Sequence, residues 1–215
     1  MPDLARPVLD RMIRTIAHRG PDGFGFHVEP GVGLAHARLA IIDLTTGDQP
    51  IHSERRTVWT VFNGEIFNHV ELRETLEGAG HRFYTRSDTE VIVHLYDRYG
   101  DRFVEHLNGQ FAIALWDSER QRLVLARDRA GIRPLFHARG GGRIWFASEV
   151  KALHSVLPET AALDPLGLMQ TLTYWSATDP GTVYQGVSSL PPGCLLSIER
   201  DGQETLTRYW DWTFP

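Results

Sequence analysis

Four stretches of this 215-residue chain hold side chains whose types and spacing suit chemistry. Asn63-Gly64-Glu65 places a side-chain amide, a residue without a side chain and a carboxylate in one run. Asn-Gly after an alternating strand is a strong signal for a tight hairpin turn. The same pair can set an amide Nδ2 and a backbone N–H side by side, the arrangement that stabilises a developing oxyanion. Arg38 shares an extended face with Leu34 and Ile42. A guanidinium there needs an anion, either an internal carboxylate or that of a ligand, which its fork grips with two hydrogen bonds. Asp88, in Ser87-Asp88-Thr89-Glu90, is either an acid complementing a helix dipole or a carboxylate open to an ammonium group. His18-Arg19-Gly20-Pro21-Asp22-Gly23 is a polar loop that reads plainly as a helix stop and a turn.

Other reactive side chains carry less. Cys194 is the single cysteine and follows Pro191-Pro192-Gly193 into an apolar strand, so it reads as a small buried hydrophobe rather than a nucleophile. The ten histidines show no His-Glu-x-x-His or comparable spacing, and no metal site is expected. The single lysine, Lys151, follows Val150 rather than Gly, which excludes a G-x-x-x-x-G-K phosphate loop.

Several elements must position these residues. Leu4, Leu9, Met12, Ile13 and Ile16 recur at helical spacing over residues 4–17, with Pro7 in the first turn and Gly20 as the stop. From Leu34 to Ile42 the pattern alternates, with Leu34, His36, Arg38, Ala40 and Ile42 on one face. A second strand is predicted from Thr57 to about Asn63. Two helices follow, each opened by a capping box, Asn68 with Glu71 and Ser87 with Glu90, and ending near Gly80 and at Gly100. Short strands are predicted at 111–116, 123–127, 134–138 and 144–147, joined too tightly for parallel crossovers. Ser148 and Asp164 are predicted to cap two more helices, and a last hairpin pairs 194–198 with 204–209. Helices first and a meander of strands second read as one α+β domain, an antiparallel sheet stack covered by helices.

Composition narrows the function classes. With 22 basic against 27 acidic residues the net charge is −5, so nucleic acid is not an expected partner. No apolar run reaches the roughly 18 residues of a membrane span, and the start of the chain lacks the pattern of a signal peptide. With one cysteine, this favours a reducing, cytoplasmic setting and no membrane partner.

Taken together, ordered motifs make the chain resemble the glutaminase domain of class II glutamine amidotransferases, most closely that of glutamine-hydrolysing asparagine synthetase. They are HRGPDG at 18–23, LAHARLAIIDL at 34–44 with Gln49-Pro50, FNGEIFN at 62–68, ELR at 71–73, SDTEV at 87–91, LNGQFAIALWD at 107–117, LARDRAGIRPL at 125–135, FASEVKAL at 146–153, LPPG at 190–193 and RYW at 208–210. The resemblance implies an N-terminal-nucleophile fold, a four-layer αββα sandwich of two antiparallel sheets that releases ammonia from L-glutamine. It also implies that Arg38 holds the glutamine α-carboxylate, that Ile42 offers backbone contacts and that Glu65 and Asp88 receive the α-ammonium. Asn63 and Gly64 would form the oxyanion hole.

Two departures shape the expectation. The family opens on Met-Cys-Gly-Ile and a strand, its nucleophile being the exposed N-terminal cysteine, whereas Pro2 stands here and a helix begins at once. The first strand and the catalytic cysteine are therefore expected to be missing, leaving no catalytic nucleophile and an open apolar slot. The synthetase region, where ATP and Mg would bind, is expected to begin at 211–215 and otherwise to come from another chain or be lost; no cofactor is expected within residues 1–210. The favoured reading is an inactive fragment of an asparagine synthetase-like enzyme of asparagine biosynthesis. Its alternative is a non-catalytic glutamine-binding or protein-interaction module. A remote third reading uses the Pro2 amine, exposed by loss of Met1, as a base.

Overall fold

The computed structural model describes residues 2–213, with side chains from Ala5 onward; Met1, the Leu4 side chain, Phe214 and Pro215 fall outside the described residues. Helix α1, Pro2–Thr15, turns the expected stripe inward, with Met12 and Ile13 buried. Because it starts at Pro2, Pro7 sits in its second turn rather than its first. It ends before Gly20, in a 3-10 turn at Ala17–Arg19. Gly20 instead serves close approach, since a Cβ there would lie 2.2 Å from the carbonyl carbon of Ala37.

Strand β1, Gly23–Glu29, was not legible in the pattern; it pairs antiparallel with β2, Val32–Arg38, from Gly23↔Arg38 to Glu29↔Val32. The predicted strand to Ile42 therefore stops at Arg38. There Asp22 accepts a hydrogen bond from the Ala40 N–H, and Asp43 adopts a left-handed φ of 53° that turns the chain away. The remaining elements are β3 (Ile51–His52), β4 (Val58–Ile66), α2 (His69–Gly78), α3 (Glu90–Tyr99), β5 (Gly109–Asp117), β6 (Arg122–Arg127), β7 (Phe136–Gly140), β8 (Arg143–Ala147), α4 (Val150–His154), α5 (Pro165–Tyr174), β9 (Val187–Ser189), β10 (Cys194–Ile198) and β11 (Glu204–Arg208).

A six-stranded antiparallel sheet, β11-β10-β6-β5-β4-β3, forms the centre. Its inner strands β5, β6 and β10 are buried on both faces, which is why their sequences read as near-continuous hydrophobic runs. Phe62, Phe111, Ile113, Val124 and Leu195 face α2 and α3, against Leu76, Val91 and Leu95. Val61, Ala112, Ala114, Leu125 and Leu196 face a second layer containing Leu34 of β2 and Ile144 and Phe146 of β8. Outside that layer, Met12 of α1 and Ala152 and Leu153 of α4 cover Ala138, Ala147 and Val187. The order helix, sheet, sheet, helix is the expected αββα arrangement. The second layer comes in two pieces, the β1–β2 hairpin and a three-stranded sheet β8-β7-β9.

Neither predicted capping box forms, because both sets of side chains tie loops instead. Asn68 accepts from the Asn108 N–H and donates to the His106 carbonyl. Glu90, fully buried, accepts from the Tyr84 and Thr85 N–H groups and the Thr85 hydroxyl. The Ser87 hydroxyl does accept from Thr89 N–H. Residue 149 rather than Ser148 precedes α4, without a side-chain cap. Asp164 caps α5 as predicted, accepting from Gly167 N–H at 2.8 Å.

The β6–β7 connection is built around one carboxylate. Asp128, 1% exposed, accepts from the N–H groups of Phe111, Ala130, Ile132 and Arg133. Its removal strands buried donors. Asp128→Ala is therefore expected to lower unfolding stability by about 3 kcal/mol, read from urea midpoints, whereas a surface change such as Asp201→Ala is expected to shift it by less than about 0.5 kcal/mol.

Candidate functional site

Strand β4 decides where the chemistry points. Its side chains alternate, and since Phe62 and Ile66 belong to the helix-side core while Trp59 and Val61 belong to the other, Asn63 and Glu65 face the second layer. The Asn63-Gly64 pair is not a turn: Asn63 pairs with Ala112 and Gly64 with Phe111 in mid-strand. Glycine is needed there because a Cβ would stand 1.9 Å from the Gln110 carbonyl oxygen.

One cavity of about 1480 Å³ lies over this face, bounded by β2 on one side and β8 on the other, with α1 above. It brings together all of the predicted residues, Arg38, Ile42, Asn63, Gly64, Glu65 and Asp88. Its wall on the central sheet is apolar where Val61, Ala112 and Ala114 contribute. Among the described residues no strand joins β2 to β8, whose facing edges both border the cavity.

Asn63 Nδ2 is buried with no hydrogen-bond partner among the described residues. A buried amide donor left unmade carries a desolvation penalty of about 1–3 kcal/mol, so this atom is poised to gain from any acceptor placed in the cavity. Beside it, the edge of β4 turned away from β5 is read from its flanks. The Phe62 N–H donates to Gln49 Oε1 at 2.7 Å, and the Ile66 N–H donates to Asp88 Oδ2 at 3.0 Å. Two-residue alternation places the Gly64 N–H on the same edge between them. β3 covers only Trp59 and Thr60, so among the described residues no strand takes that donor.

The charged groups surround these donors. Asp88 is 5% exposed, and burial pushes its carboxyl above the ordinary carboxylate range despite hydrogen bonds from Ile66 N–H and the Ser87 hydroxyl. Glu65 is half-buried and makes no ion pair among the described residues. Arg38 is held from inside the chain: Nη1 donates to Asp48 Oδ1 at 2.6 Å and Nη2 to the Asp43 carbonyl. The internal-ion-pair reading of Arg38 is thus realised in a residue that also lines the cavity. Ile42 also borders the cavity, from the 39–50 segment rather than from β2. His36, between Leu34 and Arg38, is held neutral, its pKa lowered by burial to about 4.

The HRGPDG loop is anchored at the cavity wall, which His18 and Arg19 line. His18 and Arg19 both reach Glu149 Oε1 at 3.1 Å, and Lys151 pairs with the same carboxylate. Cys194 is 1% exposed within β10, and burial pushes its thiol pKa up, which suits a packed side chain and not a thiolate. No cluster of three or more metal-ligating side chains occurs among the described residues. No helix among them is long and apolar enough to cross a membrane.

The residue pattern of the glutamine amidotransferase domain family matches residues 2–210. The chain belongs to this family. Within it, the chain is 37% identical over 207 residues to "Asparagine synthetase [glutamine-hydrolyzing] 1" of Bacillus subtilis, covering 96% of the chain and 33% of that protein. It is 50% identical over 141 residues to "Asparagine synthetase [glutamine-hydrolyzing] 3" of Arabidopsis thaliana, covering 65% and 24%. The chain thus spans about a third of the length of the Bacillus relative it matches. In fold it is similar to glutamine phosphoribosylpyrophosphate amidotransferase of B. subtilis, with TM-score 0.69 and 23% identity over 95% of this chain and 46% of that one. The amidotransferase domain is therefore of the class II, N-terminal-nucleophile type that the motifs implied.

Two residues beside this cavity have roles that a single sequence does not reveal, although Gln49 belongs to one of the motifs. Gln49 satisfies both backbone groups of Phe62, its Oε1 accepting from the N–H and its Nε2 donating to the carbonyl at 3.1 Å, and so stands in for a missing strand partner. Asp48 is the ion partner of Arg38. Both lie on a segment whose path is set by tertiary contacts.

The raised pKa of Asp88 has a sign that can be measured. A carboxyl whose folded pKa lies above its unfolded value contributes stability below the unfolded pKa and loses it as pH rises through the folded one. Asp88→Asn is therefore expected to stabilise the free protein at pH 7 by on the order of 1 kcal/mol and to lose that advantage toward pH 3. Urea midpoints of both proteins across that range check it.

Proposed function

We propose that this domain binds L-glutamine in the cavity between β2 and β8 and orients its side-chain amide for hydrolysis to ammonia, as the glutaminase part of an asparagine synthetase-like enzyme of asparagine biosynthesis. The observation that carries the reading is the buried, unpartnered Asn63 Nδ2 beside the edge N–H of Gly64. Donors already in place cost no reorganisation when charge develops on a carbonyl oxygen, and one such donor is worth roughly 3–4 kcal/mol of barrier.

The remaining roles follow from charge and burial. Arg38 grips the α-carboxylate through its guanidinium fork. Asp88 and Glu65 receive the α-ammonium, and the cationic group offsets the cost of ionising a buried carboxyl. Ile42 lines the same end through its backbone. In the class II family the attacking group is an N-terminal cysteine thiolate. Thiolate attack on the carboxamide carbon would break the carbonyl π bond, place the negative charge on oxygen within the Asn63–Gly64 donors, and expel ammonia once the nitrogen is protonated. Cys194 is 1% exposed and cannot supply that thiolate. Residues 1–215 therefore bind and orient, and the thiol is to be supplied by a segment opening Cys-Gly, seated between the facing edges of β2 and β8. Amide formation on an acceptor carboxylate, with ATP and Mg, belongs to a synthetase region such as relatives three times as long would hold. The burial of Cys194 also favours a second reading, in which this stretch of chain serves as a glutamine-binding module.

Isothermal titration of residues 1–215 with L-glutamine is expected to give saturable one-to-one binding with no ammonia release, and Asp88→Ala is expected to weaken it by at least tenfold. Absence of saturable binding would overturn the reading. Affinity is expected to fall as pH drops through the raised pKa of Asp88, since the protonated carboxyl no longer holds an ammonium group; a flat profile between pH 7 and pH 4 would remove Asp88 from the site. A chain carrying the Cys-Gly segment is expected to release ammonia from glutamine, and the matching Ser-Gly chain is not. Ammonia release by residues 1–215 alone at rates typical of enzymes would show that another nucleophile operates.

A further inference from the structure

The ion pair of Arg38, a cavity-lining residue, is built asymmetrically. Arg38 is 12% exposed, whereas its partner Asp48 is 81% exposed. The guanidinium has two partners in the 39–50 segment, and they are not equivalent. The Asp43 carbonyl is locked in place: Asp43 stands at positive φ and its carboxylate accepts from the Thr45, Thr46 and Arg86 N–H groups. Gly47 closes the same turn against Arg38, where a Cβ would lie 3.0 Å from Nη2. The Asp48 carboxylate has no other hydrogen bond among the described residues and faces solvent. It can swing into water at little desolvation cost, while Arg38 and Asp43 stay where they are.

We propose that Asp48 is a displaceable internal carboxylate: it holds the Arg38 guanidinium while the cavity is empty and yields it to the α-carboxylate of an incoming amino acid, so that Asp48 sets the affinity of the site. The inference rests on the assignment of Arg38 to the ligand carboxylate made above. A second carboxylate approaching Arg38 either displaces Asp48 or shares the guanidinium with a like charge, and both routes subtract from binding. The device keeps a largely buried cation paired in the empty site, and it discriminates against weak carboxylate ligands that gain nothing from Asp88, Glu65 and the amide donors. Asp48 touches no reacting atom; it is a specificity-determining residue acting through Arg38.

The test compares residues 1–215 with Asp48→Asn and Asp48→Glu by isothermal titration against L-glutamine and against 4-aminobutanamide, which is glutamine without its α-carboxylate. Asp48→Asn is expected to bind glutamine about twofold to fivefold more tightly, the range an exposed ion pair supplies. The amine amide is expected to bind both proteins equally, and Asp48→Glu, which restores a carboxylate, is expected to bind glutamine as the parent does. Thermal melts establish that both variants are folded. Unchanged or weaker glutamine binding by Asp48→Asn overturns the proposal, as does an equal gain for 4-aminobutanamide, because the effect would not then pass through the α-carboxylate. If glutamine binds none of the three proteins, the assignment of the cavity to glutamine falls and this inference with it; if it binds the parent and Asp48→Asn alike, only the inference falls.

Discussion

Strand β4 pairs with β5 along its full length but with β3 only at Thr60 and Trp59. That mismatch leaves the backbone of residues 61–66 hydrogen-bonded on one side and open on the other, inside a protein where unpaired backbone groups are costly. The open edge is resolved residue by residue. Gln49 takes both groups of Phe62, Asp88 takes the N–H of Ile66, and the N–H of Gly64 is left between them. The donor assigned to the oxyanion in the proposed function is the one that the fold leaves without a strand partner among the described residues. Because the same strand alternates, Asn63 then points into the cavity and not into the helix-side core.

The loops that carry the charged site residues are organised by carboxylates that accept backbone N–H groups. Asp43 ties the 39–50 segment to Arg86, Glu90 ties the 84–85 backbone to α3, and Asp128 ties β5 to the turn before β7. Charge-assisted bonds of this kind are stronger than neutral ones, and each joins segments far apart in sequence. The consequence for function is that Asp88 and Arg38 are positioned by their neighbours' side chains rather than by regular helix capping. By contrast, the Asp48 carboxylate is exposed and holds only Arg38 among the described residues.

Much of the architecture was legible because it rests on local periodicity. Helices α2, α3 and α5, the hairpins β5–β6 and β7–β8 and the pairing of β10 with β11 follow from apolar spacing and turn residues. The expected continuation from β6 to β7 does not form, because the chain there passes from the central sheet to the second layer. What could not be read was whatever depends on a distant partner. β1 carries little alternation and is a strand because β2 lies beside it; β3 is two residues long, and β9 sits within a Pro- and Gly-rich stretch. The Asn63-Gly64 signal misleads for the same reason: the pair favours a turn locally, and pairing with Ala112 and Phe111 overrides it.

The candidate residues themselves were visible from type and motif, and the cavity gathers all of them. Side-chain chemistry and family motifs are properties of the chain alone, so residues 2–210 by themselves specified a glutamine amidotransferase domain and its candidate site residues. Tertiary structure alone decided that Asn63 Nδ2 is buried without a partner, that Gln49 and Asp88 flank Gly64 on an open edge, that burial raises the pKa of Asp88 and that Asp48 occupies Arg38. Burial, hydrogen-bond completion and charge pairing arise between segments separated by tens of residues, and no spacing rule along one chain contains them.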